Sequence, residues 1–124
     1  MPFATSFHVD RRLMVTRAWG HITLDDMRAF RQELAARPEF DPTWAHVFDG
    51  GGAVQFDLSS EEIRHLAATS LLAPRARRAL VATDPAIFDR FRIYGTLFEL
   101  QVDGSAVGVF TTLEDHRVGY ALTP

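Results

Sequence analysis

Cysteine, lysine and asparagine are all absent from this 124-residue chain. Without cysteine there can be no disulfide, thiolate nucleophile, iron–sulfur cluster or cysteine-bound zinc. Without lysine there can be no Schiff base, no anchored pyridoxal cofactor and no phosphate loop ending in Gly-Lys. The basic side chains other than histidine are therefore all arginine, as a coding bias would produce. No apolar run approaches the roughly 20 residues that span a bilayer, and Met1 to Asp10 lacks the basic start and apolar stretch of a secretion signal. The expectation is a cytoplasmic protein without integral membrane association. A net charge of -3 leaves no basic footprint for nucleic acid.

The apolar fraction of 47% and charged fraction of 23% are those of an ordinary globular chain, and the length suits one core. A single domain over residues 1–124 is expected. Ala4 to Val9 and Leu13 to Trp19 are alternating, β-rich runs around Asp10-Arg11-Arg12, which reads as a hairpin. Thr23 with Asp26 three residues later resembles a capping box, and Leu24, Met27, Phe30 and Leu34 then repeat at helical spacing up to Pro38. Ala45 to Phe48 reads as a short buried strand. The glycine run Gly50-Gly51-Gly52 reads as a flexible turn. An anion cradle is the alternative, but such a cradle normally feeds straight into a helix, and here Ala53 to Leu58 intervenes.

Ser59 or Ser60 is a good N-cap for a second helix that turns Ile63, Leu66, Ala67 and Ser70 or Leu71 inward and stops at Pro74. Ala79 to Ala82 reads as a strand. Asp84-Pro85 opens a third helix running to about Leu100, Asp103-Gly104 makes a turn, and Val107 to Phe110 forms a last strand. Thr112 would cap a short helix from Leu113 to about Tyr120. The alternation in the second half implies parallel neighbours, so the fold class is α/β: a mixed, largely parallel sheet of five strands with about four helices.

This order of elements resembles the STAS domain, and more closely the SpoIIAA-like small bacterial proteins. The likeness spans nearly the whole chain. It includes the strand from Arg12-Leu13-Met14-Val15 to Gly20, the helix start Thr23-Leu24-Asp25-Asp26, the turn Pro38-x-Phe40-Asp41-Pro42, and a strand ending in Asp49. The run Phe88-Asp89-Arg90-Phe91-Arg92-Ile93-Tyr94 is similar to a Phe-Gly-x-Ala-Arg-Met-Tyr run in those relatives, and Val109-Phe110 precedes a capped helix in both. The resemblance implies a STAS-like fold and a regulatory or protein-interaction module without chemistry of its own. In the anti-sigma-factor antagonists of this fold, a partner kinase phosphorylates a serine at the start of the second helix. Phe56-Asp57-Leu58-Ser59-Ser60-Glu61 stands at that place and differs from the Asp-Ser-Ser-Gly pattern found there. Ser59 and Ser60 are thus candidate phosphorylation sites, with helix capping as the plain structural reading.

The third helix has more apolar residues than one packed face needs. Phe88, Phe91, Tyr94 and Phe98 lie near one helical line, beside Arg90 and Arg92. A wide core face with a dimer contact would use them, and so would a pocket for a small apolar or anionic ligand with Arg92 as its charge partner. An enclosed cavity beside Phe91 and Tyr94 would favour a ligand, whereas a flat aromatic patch would favour a protein partner or homodimer. The five histidines, His8, His21, His46, His65 and His116, have no metal-binding spacing and read as surface or capping residues, although a fold could gather His46 or His8 with Asp49. Arg75, Arg77 and Arg78 read as a solvated basic edge. No catalytic motif, metal or cofactor is indicated. A small-ligand or lipid-binding domain is the alternative to a partner-binding one, and an enzyme without a recognisable motif comes third.

Overall fold

The computed structural model describes residues 2–101, 106–115 and 117–122. Strands β1 (Phe3–His8) and β2 (Leu13–Thr23) form the expected antiparallel hairpin, with Phe3 opposite Ala18 and His8 opposite Leu13. Val9–Arg11 makes one tight 3-10 turn, and Arg12 closes it in the left-handed region (φ 50°) with its N–H on the Val9 carbonyl. Strand β3 (Ala45–Asp57) lies parallel to β2, β4 (Arg77–Val81) parallel to β3, and β5 (Ala106–Phe110) parallel to β4. The spatial order β1-β2-β3-β4-β5 equals the chain order. The fold is therefore a mixed α/β sheet of the expected class.

Helix α1 (Leu24–Ala36) opens on a complete capping box. The Thr23 hydroxyl accepts the Asp26 N–H at 3.2 Å, and the Asp26 carboxylate accepts the Thr23 N–H at 2.9 Å. Helix α2 (Ser60–Ala68) opens on a second, between Ser59 and Glu62. At the start of α3 (Pro85–Gln101), the Asp84 carboxylate accepts the N–H groups of Ala86 and Ile87. One sheet face, carrying Met14, Ala18, Phe48 and Leu80, packs with residues of α1, α2 and α3 in the main core. On the other face Val47, Ala79, Val81 and Phe110 pack with Val118 of α4 (Arg117–Leu122).

Three elements depart from the sequence reading. The glycine run is no turn: β3 continues through Gly50-Gly51-Gly52 to Asp57, and β2 accompanies it to Thr23. Bare backbone is needed at Gly50, where a Cβ would stand 3.0 Å from both the Phe91 ring and the Val81 carbonyl oxygen. The pairing is kept by register shifts at Arg17/Trp19 and Gly20/His21, and Gly20 between them takes φ 71°, a conformation glycine adopts without strain.

Helix α2 ends at Ala68, short of Ser70, Leu71 and Pro74. The Thr69 hydroxyl donates back to the His65 carbonyl, and the Arg31 guanidinium takes the carbonyls of Leu66 and Thr69, occupying an acceptor that a further turn would use. Helix α4 begins at Arg117 instead of Leu113, where Asp115, not Thr112, accepts the Arg117 N–H. The expected turn at Asp103-Gly104 and the side chain of His116 lie outside the described residues. Among the described residues no helix is long and apolar enough to cross a membrane.

Candidate functional site

The inner face of the sheet and helices α1, α2 and α3 do not close completely. A cavity of about 100 Å³ remains between them, walled by Phe30, Phe48, Phe56, Ile63, Leu66 and Phe91 among others. Its aromatic wall is held by edge-to-face contacts. The Phe91 ring centroid lies 5.3 Å from Phe56 and 5.8 Å from Phe48, and Phe48 lies 6.0 Å from Phe30. Gly50 permits this arrangement by letting the Phe91 ring rest against the β3 backbone. The cavity thus depends on the glycine run, though not as a loop.

Several polar residues also line the cavity. Arg78 of β4 is only 2% exposed and points to the same sheet face as Leu80, two residues on. Its guanidinium donates to the Ala76 carbonyl at 2.7 Å, the Ser70 hydroxyl at 3.1 Å and the Ala73 carbonyl at 3.2 Å. It also stacks over the Phe98 ring, 4.0 Å from the centroid. Its Nε is buried without an acceptor. Arg31 of α1 donates to the Thr69 and Leu66 carbonyls at 3.0 and 2.8 Å and to the Thr69 hydroxyl at 3.0 Å. Burial lowers the pKa of both guanidinium groups. The neighbouring Tyr94 counteracts this for each, while Arg31 lowers Arg78 further. Arginine nonetheless remains charged in proteins.

His46 of β3 belongs to the same wall. Its Nε2 shares a 2.8 Å hydrogen bond with the hydroxyl of fully buried Thr16, which in turn shares a 2.8 Å bond with the Thr5 hydroxyl. Burial, then the positive charge of Arg78, pushes its pKa down to about 4. The imidazole is therefore neutral at physiological pH. Arg90 donates to the Leu58 carbonyl at another part of the lining.

Phe91 and Tyr94 line the cavity as a ligand reading of the third helix requires. Phe98 does not line it; it is 1% exposed, stacked against Tyr94 and beneath Arg78. Phe88 and Arg92 lie elsewhere. The Arg92 guanidinium sits 6.0 Å from the Phe88 ring, and both border a shallow groove shared with Gly95, Val107 and Arg117. Arg92 is thus not the charge partner of the cavity.

That place falls to Arg31 and Arg78, which sequence reasoning missed, although the signal was there. Arg31 continues the helical stripe Met27, Phe30, Leu34, and Arg78 stands at period two from Ala76 and Leu80. Arg78 is accordingly no solvated edge, and His46 is no surface residue. The alternation of β3 also separates His46 from Asp49, whose carboxylate accepts the Gly51 N–H. His8 shares a hydrogen bond with Ser6 instead. No cluster of three or more metal-ligating side chains occurs among the described residues. Ser59 and Ser60 are both exposed at the start of α2, and the Ser59 hydroxyl accepts the Glu62 N–H at 3.1 Å.

The strand order, the parallel run β2 to β5 and the helices on the inner face define an α/β protein with a SpoIIAA-like fold. The chain is similar over 98% of its length to 94% of an uncharacterized protein of the DUF3478 family from Shewanella loihica PV-4, whose solved structure has a SpoIIAA-like fold. The TM-score is 0.55 and the identity 16%, a likeness of fold. The sequence matches no family profile and no curated protein.

Proposed function

We propose that this protein is a cytoplasmic binding module, without chemistry of its own, that receives a small and largely apolar ligand between the sheet and helices α1, α2 and α3. The observation that carries this reading is the cavity beside Phe91 and Tyr94. Close-packed interiors seldom leave such a space, and an apolar cavity of about 150 Å³ accepts a benzene-sized guest in a protein engineered to contain one. Native mass spectrometry of the protein purified from its own cells tests the reading. A reproducible adduct of small mass, lost on denaturation, is the expected result. Toluene added to the recombinant protein should shift the amide resonances around Phe56 and Phe91. If the native protein is bare and toluene shifts neither, the reading fails.

A second reading, regulation through a protein partner, is favoured by the position of α2. This helix begins with the exposed Ser59 and Ser60 and carries Ile63 and Leu66, which wall the cavity. A phosphate on either serine would add charge at the positive end of the helix, beside Glu61 and Glu62, and could couple ligand occupancy to partner affinity. Phosphate on Ser59 or Ser60, or a co-purifying protein or second copy of the chain, would appear in the same spectra.

A further inference from the structure

The cavity wall carries three arginines, Arg31, Arg78 and Arg90, and no carboxylate; Arg90 lies at another part of it, on the Leu58 carbonyl. Arg31 and Arg78 donate to backbone carbonyls and to the hydroxyls of Thr69 and Ser70, all of them neutral acceptors. The ion pairs among the described residues lie elsewhere, on His21, Arg28, Arg37, Arg64 and Arg117. His46, near Arg78, is neutral as well. Among the described residues no acidic side chain is paired with either of these cations. Buried charge is costly unless it meets an opposite charge, and Arg78, which is 2% exposed, has beside it only the like charge of the half-buried Arg31.

Part of this arrangement is structural: Arg31 terminates α2, and Arg78 ties down the carbonyls that precede β4. These roles do not employ the Arg78 Nε, which is buried and has no acceptor. Nor do they call for a second cation beside the first. The rest of the lining is largely aromatic, with Phe30, Phe48, Phe91 and Phe56 in contact one to the next.

From this asymmetry we infer that the ligand is a compact amphipathic carboxylate, with a ring or short-chain apolar body among the phenylalanines and its single carboxylate at Arg31 and Arg78. The inference rests on the ligand reading above and adds the chemical class. A carboxylate accepts charge-assisted hydrogen bonds from a guanidinium edge and would supply the missing countercharge. The cavity limits the body to about the size of one benzene ring.

The test compares three probes at pH 7 by calorimetric titration and amide chemical-shift mapping: benzoate, toluene and phenyl phosphate. Benzoate should bind about tenfold or more tightly than toluene, the scale of a hydrogen bond to a charged group. Arg78→Gln and Arg31→Gln should each remove most of that advantage, lowering the ratio of benzoate to toluene affinity toward one. Either variant suffices if the other does not fold, and the comparison of probes needs neither. Equal affinity for benzoate and toluene overturns the carboxylate inference and leaves the apolar ligand reading standing. Tighter binding of phenyl phosphate than of benzoate overturns it in favour of a phosphate head. If no probe binds, both readings fall together.

Discussion

Replacing Gly50 by alanine tests whether the glycine run serves the cavity or merely bends the chain. Position 50 lies inside β3 with φ outside the left-handed region, so alanine meets no backbone strain there. What it meets is crowding. Its Cβ would stand 3.0 Å from Phe91 Cζ, 3.1 Å from Phe91 Cε2 and 3.0 Å from the Val81 carbonyl oxygen, where ordinary contacts run from 3.4 to 4 Å. The ring can move toward the cavity, but the carbonyl belongs to β4, which is hydrogen-bonded on both sides. Overpacking of this kind costs about 1–3 kcal/mol. Reduced freedom of the unfolded chain returns about 0.4–1 kcal/mol. Gly50→Ala should therefore lose about 0.5–2 kcal/mol in urea unfolding, with the midpoint lowered and the slope unchanged.

Gly51→Ala is the internal control, because its Cβ meets no backbone and no ring, only the Asp49 carboxylate at 3.1 Å and the Thr83 hydroxyl at 3.6 Å, exposed groups that can give way. It should be neutral or stabilised by up to about 1 kcal/mol. Adding Phe91→Leu to Gly50→Ala should recover part of the loss, since the two positions share one contact. A Gly50→Ala midpoint at or above wild type, or equal losses at positions 50 and 51, would refute the reasoning.

Two further outcomes follow from other parts of the molecule. The His46 pKa is depressed to about 4 in the folded protein, from an ordinary 6.5, so between these values the unfolded chain binds the extra proton. Stability should be fully present above pH 6.5 and decline as the pH falls toward 4, by about 3 kcal/mol in total; His46→Gln should flatten this part of the profile, measured by urea unfolding at pH 4.5 and 7.5. At the start of α2, Ser59→Ala removes the hydroxyl that accepts the Glu62 N–H and should cost about 1 kcal/mol, whereas Ser59→Asp, itself a good cap, should stay near wild type; thermal unfolding distinguishes them.

The architecture was legible where local rules and tertiary packing agree. Thr23 with Asp26, Ser59 before Ile63, and Asp84 before Pro85 mark helix starts that the fold keeps, because caps are settled within one turn of chain. The glycine run was misread because triple glycine weighs toward a turn in any local reading. Its reason for being in a strand is a ring 41 residues later, Phe91, which no local window contains. The cavity was half legible: the excess of aromatics on the third helix pointed to Phe91 and Tyr94, but the cations were sought on that helix. Arg31 and Arg78 are brought to it from α1 and β4, and both sat on apolar periodicities where charge is unexpected.

The sheet's order has a consequence for how the protein is made. Its strands stand side by side in the sequence in which a ribosome releases them, so each emerging strand finds its neighbour already present and closes a short connection rather than a long one. The cavity comes into being only when α3 docks and Phe91 and Tyr94 close over the sheet. Synthesis thus leaves this chamber open until most of the chain has emerged, and β5 and α4, which follow, complete the sheet and its opposite face without contributing to its lining.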